Sequence, residues 1–155
     1  MNIYLIIIGL IATSIIAYFT MTKTIYLLSP TKKMDSFPKK CPVPTKCTRV
    51  ADTNTRGYGL KPIKLKGSIS EIQKKIRQII DNKPRMTIVN EKEGFIHSVD
   101  ITPFFRFYDD LAIRIFESEG LTNVWLQSQS RLGLYDLYVN EKRIQDLHKQ
   151  IINLE

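Results

Sequence analysis

The sequence predicts an α+β protein: an antiparallel sheet of about five strands in the order β-α-β-β-β-β-α, two helices on one face, and one transmembrane helix in front. Three observations predict it. An uncharged apolar run opens the chain. Two stretches carry apolar residues at helical spacing. Two pairs of stretches alternate apolar and polar residues around short turns.

Residues Met1 to Thr22 contain no charged side chain, and Ile3 to Phe19 are almost wholly apolar. At about 1.5 Å per residue a helix over this stretch is roughly 33 Å long, enough to cross a bilayer. A secretory signal peptide is the alternative, but Lys or Arg would normally precede its apolar run, and none does here. Tyr4, Tyr18 and Tyr26 suit the membrane–water interface. A retained anchor over 1–28 is therefore expected. Residues 29–60 read as a basic linker, punctuated by Pro30, Pro38, Pro42, Pro44, Gly57 and Gly59 without apolar periodicity. The folded domain is expected over 61–155.

Ile63 and Leu65 alternate with Lys64 and Lys66, a short strand ended by Gly67. Ser68-Ile-Ser-Glu71 is a capping box, in which Ser68 and Glu71 satisfy free backbone donors. Ile69, Ile72, Ile76, Ile79 and Ile80 then form a helical stripe that ends near Asn82, ahead of Pro84. A strand over 85–90 and a turn at 91–94 lead into a strand over 95–101. There Phe95, His97, Val99 and Ile101 share one side, and His97 reads as a satisfied, partly buried histidine rather than a ligand. In the next hairpin Leu111, Ile113 and Ile115 oppose Val124 and Leu126 across the Glu119-Gly120 turn. Pairing Ile115 with Val124 and Ile113 with Leu126 puts apolar beside apolar on one face. Asn140 is the expected N-cap of the last helix, with Ile144, Leu147 and Ile151 as its stripe.

The net charge is +8, and its distribution bears on partners. Residues 1–60 hold eight Lys/Arg against Asp35 and Asp52, whereas 61–155 hold fifteen against thirteen acidic residues. The domain is nearly balanced, which argues against a nucleic-acid reader. The excess follows the apolar run, where anionic headgroups would meet it, although a solvated linker with no partner explains it equally.

Cys41 and Cys47 are the only cysteines, and His97 and His148 are far from them in sequence, too sparse a set for a metal site. A disulfide across the short loop holding Pro42 and Pro44 is the favoured reading, with a shared zinc ion and two free thiols as alternatives. The lysines after the helix would keep the domain in the cytoplasm, whereas a disulfide would place it outside.

The hairpin register has a further consequence. Asp110 falls opposite Gln129, with Arg131 its diagonal neighbour, and Asp109 falls opposite Ser130. Asp109, Asp110, Arg131 and the Gly133–Asn140 stretch, with Asp136 in it, are expected to gather at one end of the sheet. Arg106 precedes this cluster and Arg143 follows it. One reading is an ion-pair network that pins the last helix; the other is a polar site with a catalytic carboxylate pair. No nucleophile elbow, phosphate loop or metal motif appears, so no cofactor or metal is expected.

Arg106-Phe-Tyr-Asp-Asp110, Ser128-Gln-Ser-Arg-Leu-Gly133, Asp136-Leu-Tyr-Val-Asn140 and Arg143-Ile144 together resemble the signature of the domain-of-unknown-function 1499 family. Cys41-Pro to Cys47 resembles that family's opening Cys-Pro motif. The resemblance spans roughly 41–152. Tyr138 stands where the family usually has Gly, adding bulk to the turn before the last helix, and Pro44-Thr-Lys replaces the usual residues before the second Cys. The resemblance implies the fold, the candidate residues and an extracytoplasmic domain, but no reaction. The expected function is a membrane-tethered binding or assembly module for a lipid headgroup or a membrane-protein complex. The alternative is an envelope hydrolase using Asp109, Asp110 and Arg131.

Overall fold

The computed structural model of the protein describes residues 2–154, so Met1 and Glu155, at the outer ends of the predicted anchor and domain, lie outside it. Helix α1 covers Ile3–Leu28, and its mean hydropathy reaches 2.2 over an 18-residue window. It is long and apolar enough to cross a membrane. Its hydroxyls are satisfied within the helix: Thr13 Oγ1 donates to Gly9 O at 3.0 Å and Ser14 Oγ to Leu10 O at 2.8 Å. Such back-bonding suits a helix with no water around it. Side chains 2–17 are exposed, but Tyr18, Met21, Thr22, Ile25 and Ser29 are partly or fully covered. That spacing is one helical stripe, and along it the domain packs on the helix.

The domain is a six-stranded antiparallel sheet. Its strands are β1 (Cys47–Val50), β2 (Ile63–Leu65), β3 (Met86–Lys92), β4 (Phe95–Ile101), β5 (Tyr108–Ser118) and β6 (Leu121–Ser130). The order across the sheet is β1-β6-β5-β4-β3, and β2 also pairs with β6, beyond the end of β1. Helices α2 (Ile69–Asp81) and α3 (Val139–Ile152) complete it. Ile72, Ile76 and Ile80 of α2 and Ile144, Leu147 and Ile151 of α3 share one core with Ile96, Leu111, Ile113, Ile115, Val124 and Leu126. Both helices thus cover one face, as the alternation requires. The predicted register holds: Ile115 opposes Val124, Ile113 opposes Leu126, and Asp110 opposes Gln129. Ser68 caps α2 by accepting from Glu71 N at 3.2 Å, while the Glu71 side chain pairs with Lys75 instead of reaching back. Gly94 closes the β3–β4 turn at φ +73°, where a Cβ would stand 2.6 Å from Ile115 O.

Two local expectations are corrected. Residues 29–60 are not all irregular, because Cys47–Val50 forms strand β1. Its four residues are all buried, with Cys47 and Arg49 on one face and Thr48 and Val50 on the other, so no apolar alternation betrays it. The cap of α3 is not Asn140. The helix begins at Val139 after Tyr138, which takes φ +62°. Asp136 does the capping: its Oδ1 accepts from Tyr138 N at 3.3 Å and its Oδ2 from Asn140 N at 3.1 Å.

The second face of the sheet is covered by the segment between α1 and the disulfide. Met34 N donates to His97 Nδ1 at 3.2 Å, Asn90 Nδ2 to Met34 O at 2.8 Å, and Arg49 Nη1 to Pro38 O at 2.6 Å. The Phe37 ring lies over Trp125, with the Arg49 guanidinium 4.7 Å from the Phe37 centroid. This strap ends at the Cys41–Cys47 disulfide, which ties it to β1. Replacing both cysteines by serine is expected to lower the stability of the full chain by about 2–3 kcal/mol, the entropy of a loop this short. Chemical unfolding of the two proteins in the same detergent measures it.

Candidate functional site

Sheet alternation sends neighbouring side chains to opposite faces, and this divides the predicted cluster in two. Asp110 and Arg131 lie on the strap face. Asp109 lies on the helix face with Arg143, Asn140 and Asp136. The two aspartates therefore do not form a side-by-side carboxylate pair; the sheet stands between them.

On the strap face Arg131 grips Asp110 with two bonds, Nη2 to Oδ1 at 2.8 Å and Nε to Oδ2 at 3.1 Å. Arg131 Nη1 also donates to Ser29 O at the end of α1 and to Thr31 Oγ1, both at 3.0 Å. A cation at a helix C-terminus meets its unsatisfied carbonyls and its dipole. His97 completes the group. Its Nδ1 accepts from the strap, so its proton sits on Nε2, which donates to Asp110 Oδ1 at 2.8 Å. Burial alone would raise the Asp110 carboxyl, but the His97 and Arg131 hydrogen bonds and the Arg131 charge outweigh it and hold it below the ordinary range.

On the helix face the guanidinium of Arg143 is buried. It donates to Asp100 Oδ2 at 2.7 Å, to Asp109 Oδ2 at 2.8 Å, to Ser128 Oγ at 2.8 Å and to Asn140 Oδ1 at 2.6 Å. Asn140 in turn donates to Asp136 Oδ2 at 2.7 Å and to Ser130 Oγ at 2.9 Å. Arg56 closes the chain with a 2.7 Å bond to Asp136 Oδ1. Burial also works against the Asp136 charge, but hydrogen bonds from Arg56 and Asn140 lower its carboxyl overall. Arg56 and Asp100 were not among the residues singled out in the sequence. Arg56 falls within the expected linker and Asp100 on a strand whose neighbours are apolar, so neither carried a signal.

Two buried atoms in this network are left over, Arg56 Nη2 and Asp109 Oδ1. Asp109 is 1% exposed, and its Oδ1 has no hydrogen-bond partner among the described residues. Asp109 and Asp100 share the Arg143 guanidinium, and Asp100 also faces Arg85, whose Nε is 3.7 Å from its Oδ1. Burial pushes the Asp109 carboxyl up, against the pull of Arg143 and the Ser130 hydroxyl. Asp109 lies in a largely apolar cavity of about 180 Å³, walled by Phe105, Phe107, Leu132, Leu137 and Val139.

The remaining predicted residues stand outside both networks. Arg106 is exposed, takes φ +56°, and makes no salt bridge among the described residues. Gly133 is an exposed turn residue at φ +87°. Tyr138 does not line the cavity; its ring lies 5.2 Å from the Arg56 guanidinium. Its left-handed backbone explains the glycine usual at that position, since glycine adopts such a φ without Cβ strain.

The loop before β5 was not singled out, yet it forms the rim of the cavity. Thr102 and Phe107 close it, with Thr102 N donating to Phe107 O at 2.9 Å and Phe107 N to Thr102 Oγ1 at 2.8 Å. Phe104 and Phe105 project at its tip, 64% and 48% exposed. Tyr18 of α1 donates its hydroxyl to Phe104 O at 3.1 Å and sets its ring 5.7 Å from that of Phe104. Phe105 stacks on Phe104 at 5.0 Å and on Phe107 at 5.8 Å. A continuous row of rings thus runs from the apolar helix to the cavity wall.

Residues 39–151 match the model of a family described as Protein of unknown function (DUF1499), and the chain belongs to that family. Comparison with curated proteins and with solved structures gives no match.

The Asp110–Arg131 pair is nearly buried, so removing either partner is expected to cost about 3–5 kcal/mol. Arg131→Ala and Asp110→Asn, measured by unfolding of the full chain in detergent, are each expected to destabilise, and the double variant by less than their sum. The Asp110 carboxyl is depressed in the folded state, so its contribution is complete above the ordinary value near ~3.9 and is lost as pH falls through the lower folded value. Acid titration below about pH 4 should therefore weaken the wild type more than Asp110→Asn.

Proposed function

We propose that this member of the family is a membrane-tethered binding module, held by α1 as a retained single-pass anchor and pressing its aromatic end against the bilayer surface. The observation that carries the reading is the contact of Tyr18 with Phe104. Tyr18 lies ten residues before Leu28, the last residue of α1, about 15 Å along the axis. Lys23 is the first charge after the apolar run, so Tyr18 sits at the edge of the hydrocarbon. A loop bonded to Tyr18 reaches the same depth.

The surroundings suit that depth. Leu137, 75% exposed, lines the same cavity as Phe105, and with Phe104 they offer exposed apolar surface of the kind that marks a membrane contact. Arg106, exposed and unpaired among the described residues, stands next to the two phenylalanines and suits a lipid phosphate. Lys23, Lys32 and Lys33 follow α1 with the same charge. The disulfide favours an extracytoplasmic domain.

Hydrolysis is the second reading, and Asp109 at the cavity is the observation in its favour. Against it, Asp110 and Arg131 are on the other face of the sheet, and the Ser128 hydroxyl is engaged by both Arg143 and Asn140. Paired acid and base groups of the sort hydrolysis uses are not assembled around Asp109.

The test extracts the full chain from its native membrane into polymer-bounded discs and identifies co-isolated lipids and proteins by mass spectrometry. The wild type is expected to enrich specific lipid or protein partners over an α1-only control. Phe104→Ser with Phe105→Ser is expected to lose that enrichment while the domain still unfolds at the same temperature. Equal recovery from wild type and variant contradicts the module. Cleaved lipid that appears with wild type and vanishes with Asp109→Asn establishes the hydrolase instead.

A further inference from the structure

We infer that the cleft between α3 and the α2–β3 connection binds a polyol phosphate, with the phosphate at Arg85 and Lys142 and a hydroxyl at Asp100. The inference rests on the reading of the domain as a lipid-headgroup module and names the class of headgroup it takes.

The cleft holds about 390 Å³, within the usual range of small-ligand sites, roughly 300–1,000 Å³. Asp100, 6% exposed, lies at its base. Asp100 Oδ2 accepts from Arg143 Nε at 3.0 Å and Nη2 at 2.7 Å. Oδ1 accepts no hydrogen bond among the described residues. Arg85 Nε stands 3.7 Å from it, beyond hydrogen-bond distance. Unlike Asp109 Oδ1, this oxygen is not sealed from solvent. A nearly buried carboxylate thus presents one reachable, unbonded acceptor to the cleft, and that acceptor calls for a donor.

Two cations at the mouth are also unspent. Arg85 is half exposed and donates no side-chain hydrogen bond among the described residues. Lys142 is exposed and makes no salt bridge among them. The other two cations are engaged, Arg143 by Asp100 and Asp109, and Lys83 by Asp146 at 2.6 Å. Four cations therefore meet three carboxylates, and the surplus is positive. A phosphate ester cancels it, and a guanidinium is well matched to phosphate oxygens. An ammonium at Asp100 would restore the surplus and compete with Arg85, so a hydroxyl is the donor that fits. With the phosphate on Arg85, a hydroxyl on a neighbouring carbon reaches Oδ1. Val139 lines both this cleft and the apolar cavity rimmed by Phe105 and Leu137. A lipid whose chains lie against that rim turns its headgroup toward the cleft.

Met86 lines the cleft and gives a local probe. The experiment records the methyl resonances of isotope-labelled methionine in the full chain in phosphatidylcholine nanodiscs, with Met21 of α1 and Met34 of the strap as references. Free glycerol phosphate is expected to move Met86 and leave Met21 and Met34 in place. Methyl phosphate, equal in charge but without hydroxyls, should bind about tenfold more weakly, the loss of one hydrogen bond to a charged acceptor. Arg85→Gln with Lys142→Gln, both at exposed side chains, should abolish the shift at an unchanged unfolding temperature. In discs doped with phosphatidylglycerol Met86 should be shifted before any free ligand is added, and in discs doped with phosphatidylethanolamine it should not. A shift with free glycerol phosphate but none with phosphatidylglycerol assigns the cleft to a soluble polyol phosphate and overturns the headgroup reading alone. No shift with either overturns the inference while leaving the Phe104 contact standing. Equal binding of methyl phosphate and glycerol phosphate, or an equal shift with phosphatidylethanolamine, overturns the polyol class.

Discussion

The way the domain sits on its helix depends on Arg131. Its guanidinium is fixed by two bonds to Asp110, and it reaches from there to Ser29 O at the end of α1. One side chain therefore joins the sheet, the strap and the helix terminus. His97 supports it from behind, donating to Asp110 and accepting from Met34 of the strap. A guanidinium suits this place because its planar fork can hold a carboxylate and still offer a donor to a carbonyl; a lysine ammonium lacks that geometry. With the helix end so fixed, the stripe from Tyr18 to Ser29 lies along the domain and Phe104 meets Tyr18. Which end of the domain meets the apolar stretch of α1 follows from that orientation.

The second arginine acts differently. Arg143 carries two aspartates, a serine and an asparagine in the interior, and it locks α3 onto β4, β5 and β6. A buried group of this kind contributes little net stability compared with well-packed apolar residues, yet is destabilising to break. Arg85, whose Nε lies 3.7 Å from Asp100 Oδ1, supplies the second positive charge that the two aspartates need. Asp109 Oδ1 and Arg56 Nη2 are buried atoms of this group without a hydrogen-bond partner among the described residues.

Much of this was legible in the sequence, for a physical reason. Apolar alternation leaves one acceptable register for the last hairpin, because a slip of one residue turns Ile113 and Ile115 out of the core. The register then brings Asp110 to Arg131 without further information. The same parity rule places Asp109 on the opposite face from Asp110, so the separation of the two carboxylates was implicit in it too. What could not be read had no periodic signal. Strand β1 is buried on both faces, and its Arg49 looks like a surface residue until Phe37 and Trp125 are seen around it. The strap contacts depend on single backbone groups of residues 29–38, which composition does not reveal. Phe104 and Phe105 read as loop residues. Their role appears only when a helix some eighty residues earlier is found beside them.

The claim on which the functional account stands is that the Phe104 tip lies in the bilayer interface. Phe104→Trp, in the full chain in phosphatidylcholine nanodiscs, reports it directly through quenching by lipids brominated near the ester end of their acyl chains. Trp125, the single native tryptophan, lies mid-strand in β6 under Phe37 and serves as the internal reference. The account predicts that the new tryptophan is strongly quenched and Trp125 is not. Equal, negligible quenching of both would place the aromatic end in water and contradict it.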